Sequence, residues 1–234
     1  MIRNYIAFRD WETGSRNKHK CQPLQLACVM IDMKKLLVVP DSTFEAKLRP
    51  EFDNDKAIAM GFDPLDDESL AINHLTKQEL ANAPEPQLVW EQYIRYLSTF
   101  NLKGTSGGKW DAPAIGGYNN IGFDDFIDRR MCERYGPKLD KYGGWALYHP
   151  FYNFDVQQFM QSFFHAHPIN PHGYISMDAA RAYFGYKTDG AHDAKTDVLQ
   201  GADLLIRFLK LIRHIMDGKL KGRVHFKGAV NGVL

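Results

Sequence analysis

The hydrophobic period changes once along this chain, and that change restricts the fold. Up to residue 48 the apolar residues fall in short runs, at 5–11, 24–32, 35–39 and 43–48. These runs read as β-strands, and Pro40, Asp41 and Ser42 between the last two form a turn signal. Such short connections predict antiparallel neighbours. From Thr76 onward the apolar residues recur at helical intervals. Thr76 with Glu79 three residues later makes a capping-box pattern. Residues 87–100, carrying Leu88, Trp90, Tyr93 and Leu97, read as a helix, as do 122–135, 154–165 and 177–184. Gly136 and Pro137 supply a stop for the second of these. Residues 193–215 give the strongest helix, with Val198, Ala202, Leu205, Leu209 and Ile212 on one stripe. Residues 114–119 make one further strand. Strands first, then helices interleaved with at least one strand, define a mixed α/β domain. The expected organisation is one domain over residues 1–217, with a glycine-rich loop at 104–110 and a basic tail at 218–234.

Composition narrows the class without selecting a partner. The 234 residues fit a single sizeable domain. A formal charge of +1 argues neither for nor against nucleic acid, so distribution matters more than the sum. Residues 51–68 are acid-rich, whereas Arg207, Lys210, Arg213, Lys219, Lys221, Arg223 and Lys227 make a basic C-terminal edge. That edge reads equally as a phosphate-binding strip or a solvated tail. Three cysteines without regular spacing (Cys21, Cys28, Cys132) suggest neither a disulfide framework nor a zinc site. With no signal-peptide core and no run of ~20 apolar residues, a soluble cytoplasmic protein with no membrane partner is expected.

Three segments carry chemistry. Asp10 and Glu12 lie two apart at the end of the first strand, so both point to one face and Trp11 to the other. Adjacent like charges are unfavourable unless a cation bridges them, and a hard divalent ion suits oxygen ligands. Taken alone, the pair also fits a solvated strand end. Asn119 and Asn120 close the strand at 114–119, and Asp124 and Asp125 open the following helix, where free amides favour anions. Alone, these aspartates also fit as simple N-terminal helix charges. Finally, His192 precedes Asp197 by five residues, ~140° of helical rotation. They converge if His192 sits in a loop begun by Gly190, Asp193 caps the helix and Asp197 lies in its first turns. Alone, His192 fits an exposed loop histidine equally well. His165 and His167, near Pro168, read as surface residues.

Together the segments resemble the DEDD superfamily of 3′–5′ exonucleases, in its histidine, DnaQ-like subclass with a ribonuclease-H-like fold. Phe8-Arg-Asp10-Trp-Glu12-Thr-Gly is similar to its first motif, Asn120-Ile-Gly-Phe-Asp124 to the second, and His192-Asp-Ala-Lys-Thr-Asp197 to the third. The second and third are especially similar to bacterial exonuclease I. Asn153-Phe-Asp155-Val resembles the segment of an aspartate that supports the fold. The likeness runs from about Tyr5 to Leu209. It departs from the family pattern at Arg9, where an apolar residue is usual, and in lacking one residue between Glu12 and Gly14.

The resemblance implies a mixed sheet, three antiparallel strands followed by parallel ones, flanked by helices. It also implies two divalent ions, Mg²⁺ or Mn²⁺, on Asp10, Glu12, Asp124 and Asp197, with Asp10 bridging and His192 as general base. The expected reaction releases 5′-mononucleotides from the 3′ end of single-stranded DNA. Trimming of RNA or short oligoribonucleotides is the alternative, and a non-catalytic nucleic-acid-binding module is a second. Thr13, Asn120 and Phe123 lie near enough to the motifs to meet the terminal nucleotide, whereas Trp11 is expected in the core. A polymerase or another replication protein is a further candidate partner.

Overall fold

A computed structural model describes residues 5–103, 110–137, 147–166, 175–187 and 191–217. The expected basic tail, residues 104–109 of the expected loop, His167, Pro168 and Gly190 lie outside the described residues.

Among the described residues the strands form one sheet. They are β1 (Tyr5–Thr13), β2 (Pro23–Asp32), β3 (Leu37–Val38), β4 (Phe44–Lys47), β5 (Ala114–Gly117) and β6 (Asn153–Asp155). Their order is β3-β2-β1-β5-β6, with β4 also paired to β2. β2 is antiparallel to β1, β3 and β4, whereas β5 is parallel to both β1 and β6. This is the mixed ribonuclease-H-like sheet. Phe154 and Asp155, expected to open a helix, form β6 with Asn153 instead. A three-residue run is too short to show a period, and its pairing with β5 is a long-range contact.

The helices are α1 (Asn54–Ala59), α2 (Asp67–Ile72), α3 (Lys77–Ala81), α4 (Pro86–Ser98), α5 (Asp124–Tyr135), α6 (Val156–Ala166), α7 (Met177–Phe184) and α8 (Ala194–Met216). Thr76 caps α3 in the reciprocal capping box with Glu79. The buried stripe of α4 runs through Val89, Trp90, Tyr93 and Leu97, and Leu88, expected among them, is 46% exposed. No helix among the described residues is long and apolar enough to cross a membrane.

The alternation of β1 explains both cores. Ile6 and Phe8 face one way, with Val29 and Ile31, and pack under Val198, Ala202 and Leu205 of α8. Ala7 and Trp11 face the other way and pack with Trp90, Tyr93, Ile127 and Met131 of α4 and α5. Asp10 and Glu12 continue the α8 side. Gly201 allows α8 to close on the sheet, because a Cβ there would lie 2.7 Å from the Phe8 ring. Asp197 stands one turn before Gly201, on the same helical face, so the approach that seats Gly201 over Phe8 carries Asp197 towards Asp10.

Candidate active site

One carboxylate oxygen each from Asp10, Glu12 and Asp197 lie within 4.8 Å of one another. Two are adjacent same-face positions of β1, and the third comes from the first turn of α8. Asp124 opens α5 beside this trio, and its Oδ1 accepts the Trp11 backbone N–H at 2.9 Å. It joins Asp10, Asp197, His192, Tyr118 and Asp178 in lining a cavity of about 260 Å³. The four expected acids thus meet, three as a cluster and Asp124 oriented next to it by the backbone of β1.

Burial is the main force on these acids. It pushes the Asp10 carboxyl well above its ordinary range, with Asp124 and Asp197 adding repulsion and Arg9 and Arg181 opposing. Glu12 is raised by burial and then by Asp10 and Asp197. Burial lifts Asp124 to about 7 against the pull of Arg9. Burial also raises Asp197, opposed by Arg181 and His192. Acids in this state hold protons or need a cation. An all-oxygen donor set under mutual repulsion fits a hard divalent ion such as Mg²⁺ or Mn²⁺.

His192 stands in the loop just before α8, with φ 63°. Asp193 is the N-cap, accepting the Thr196 N–H at 3.1 Å. The loop turns the His192 N–H onto Asp197 Oδ1 at 3.3 Å. The imidazole remains 43% exposed, with Nε2 3.7 Å from Asp178 Oδ2.

The three expected substrate contacts differ in setting. Thr13 Oγ1 donates to the Ser15 carbonyl at 2.8 Å, and Thr13 lines a second cavity of about 210 Å³ with Glu12, Arg16, Asn73 and Phe123. Phe123 and Trp11 border both cavities. Asn120 is fully buried and donates to Asn153 Oδ1 at 2.6 Å, while its neighbour Asn119 lines the larger cavity. Asp155 fixes this turn by accepting the N–H groups of Asn119 (3.0 Å) and Ile121 (3.2 Å).

Sequence reasoning missed Asp178 and Arg181 on α7. Their i,i+3 spacing was visible, but the partners that matter, His192 for Asp178 and Asp197 for Arg181, are 14 and 16 residues further along the chain.

This sheet order is the ribonuclease-H-like fold, shared with exonuclease I. No family model and no curated protein sequence matches the chain. Solved structures do. E. coli exonuclease I, in complex with a dT13 oligonucleotide, superimposes with a TM-score of 0.66 at 18% identity, over 92% of this chain and 43% of that one. Exonuclease I of Methylocaldum szegediense gives 0.63 at 19% identity, over 91% of this chain and 43% of that one. Cell-death related nuclease 4 gives 0.62 at 17% identity, over 89% and 64%. The chain therefore spans less than half the length of these exonucleases I and about two thirds of nuclease 4.

Proposed function

We propose that the chain is a metal-dependent 3′–5′ exonuclease releasing 5′-mononucleotides from single-stranded DNA ends. The observation that carries the proposal is the convergence of Asp10, Glu12 and Asp197, with Asp124 and His192 on the same cavity, in this fold. The likeness to an exonuclease I seen with dT13 and with dA16 supports single-stranded DNA as the substrate. The three cysteines are free and buried, which suits a reducing cytoplasm.

Asp10, Glu12, Asp124 and Asp197 would hold two divalent ions, which when bound neutralise the scissile phosphate and stabilise attacking and leaving oxygens. His192, exposed at the cavity mouth, takes the proton of the attacking water. The Asp197 contact to its backbone keeps the imidazole at the acids. Phe123 offers a ring against which a terminal base can stack. Thr13 lines the adjoining cavity beside Glu12. Asn120 acts from inside, holding Asn153 beside the turn that carries Asn119.

The test is incubation of the protein with 5′-labelled and 3′-labelled single-stranded DNA and RNA, with Mg²⁺, Mn²⁺ or chelator. Metal-dependent ladders from 5′-labelled DNA, with mononucleotide from the 3′ label, are expected. RNA shortened in preference to DNA would move the substrate assignment, and no shortening of either would reject the activity. His192→Ala is expected to lower kcat by ~10²–10⁴, the usual share of a general base. An unchanged rate and pH–rate profile in that variant would remove His192 from the mechanism.

A further inference from the structure

Among the described residues, Arg9 and Arg181 are the arginines with no exposed surface. Arg181 projects from α7 against α8, beside the acid cluster. Its Nε donates to Gln200 Oε1 at 2.6 Å and one terminal nitrogen donates to Asp178 Oδ1 at 2.7 Å. The other terminal nitrogen is ion-paired with Asp197 Oδ1. All three guanidinium nitrogens are therefore engaged, by acceptors on two different helices.

The same Asp197 oxygen also accepts the His192 N–H at 3.3 Å. Oδ1 thus serves two donors, and Oδ2 is the oxygen left for a cation. We propose that Arg181 is a positioning residue of the metal cluster: from inside the protein it grips one oxygen of Asp197 and so aims the other at Asp10 and Glu12. This rests on the exonuclease reading only in taking those acids as a metal site.

The placement has a local cause. α7 is short and fixed at both ends. Ser176 caps it by accepting the Ala179 N–H at 3.1 Å, and Gly185 ends it in the left-handed region at φ 70°. Ala180 buries in the core beside α8, which orients its neighbour Arg181. Gln200 in turn is tied to the Lys187 carbonyl at 3.1 Å. A planar fork held at three points fixes a carboxylate's orientation, whereas a lysine supplies a point charge without the plane. Partners that orient metal ligands are typically worth 10–100-fold in metal affinity.

The experiment is Mn²⁺ binding to the whole chain without nucleic acid, read as free Mn²⁺ by electron paramagnetic resonance. Wild type is compared with Arg181→Gln, Arg181→Lys and Gln200→Leu, and folding is checked by thermal melting. Arg181→Gln is expected to weaken Mn²⁺ binding at least tenfold. Arg181→Lys should recover part of that loss, and Gln200→Leu should show a smaller loss in the same direction. A folded Arg181→Gln protein with wild-type affinity overturns the proposal, because an arginine serving packing alone would change the melting temperature and leave the affinity. If Arg181→Gln does not fold, unchanged affinity in both other variants overturns it. Wild-type protein that binds no Mn²⁺ would instead remove the exonuclease reading, so the two failures are distinguishable.

Discussion

Asp10→Asn protein is expected to lose hydrolysis of single-stranded DNA and, in chelator at pH 8, to melt at a higher temperature than the wild type. Both effects come from one cause. In the metal-free fold the Asp10 carboxyl is raised by burial and by Asp124 and Asp197, and Asp124 is itself lifted to about 7. A carboxyl whose folded pKa exceeds its unfolded value makes the native state bind more protons than the unfolded chain between the two. Stability therefore falls as pH rises above the ordinary carboxylate range towards the raised folded value of Asp10. Asparagine has the shape of a protonated aspartate and carries no charge, so it relieves this penalty at pH 8 and changes little at pH 5. Each pKa unit of relief is worth ~1.4 kcal/mol, which for a domain of this size raises the melting temperature by ~3–6 °C. Mn²⁺ at a hundred times its Kd stabilises the wild type by ~2.7 kcal/mol and should do far less for the variant, which lacks one ligand. The measurements are initial rates on a labelled oligonucleotide and melting curves at pH 5 and pH 8, with chelator and with Mn²⁺. A variant that hydrolyses at the wild-type rate, or melts below it at pH 8 in chelator, would sink the assignment of Asp10.

What the sequence made legible was local. Period two put Asp10 and Glu12 on one face and Trp11 on the other, and Trp11 duly stacks on Trp90 at 6.1 Å between ring centroids in the core. The Asp193 cap and the five-residue gap from His192 to Asp197 foretold their convergence, because a cap fixes where a helix begins and therefore which residue stands in its first turn. The loop from Gly14 to Gln22 and the acid-rich stretch were not legible as a pair. The structure uses these acids as caps and latches. Asp53 caps α1 and Asp66 caps α2. Asp63 accepts from Ser15 Oγ at 2.8 Å, and its N–H donates to the Lys20 carbonyl at 3.0 Å. Leu65 covers Gly14, where a Cβ would meet it at 2.5 Å. Two six-residue helices show no period, and their purpose, holding the chain just after Glu12, is a contact across some 50 residues. The same limit hid Asp124's bond to Trp11 and Arg181's bond to Asp197. Each is a single hydrogen-bonded contact between distant elements, and nothing in the local pattern of either partner records it.

Arg9 is the clearest instance, and it yields the largest expected change in stability. It occupies a core-facing position of β1 between Ala7 and Trp11, where the exonuclease pattern leads one to expect an apolar residue, and it has no exposed surface. Its Nε donates to Asp128 Oδ2 and its NH2 to Asp125 Oδ1, each at 2.6 Å. Asp128 Oδ1 also accepts the Trp11 indole N–H at 2.8 Å. Burial raises the Asp128 carboxyl above its ordinary range, opposed by Arg9 and by the Trp11 hydrogen bond. Removing Asp128 takes away the more deeply buried of the two counter-charges of Arg9 and leaves the Arg9 Nε and the Trp11 indole N–H without their acceptor, so Asp128→Ala should cost ~3–5 kcal/mol in urea unfolding. Asp125 is 30% exposed on its side chain, so water replaces its partner and Asp125→Ala should cost less. Replacing both members with apolar residues of similar size, Arg9→Met with Asp128→Leu, removes charge and counter-charge together and should recover most of the loss. The double-mutant cycle therefore carries a coupling energy well above the few tenths expected of independent sites. A double variant as unstable as the sum of its singles, or an Asp128→Ala cost below ~1 kcal/mol, would mean that the pair is not what ties α5 to β1. That tie bears on the site, because α5 begins at Asp124 and the same turn of helix that presents Asp125 and Asp128 to Arg9 presents Asp124 to the Trp11 backbone. In the recovered double variant, stability and activity can be read apart. Rates that stay low in a protein of restored stability would assign the ion pair to aiming Asp124, and rates that return with stability would assign it to the core alone.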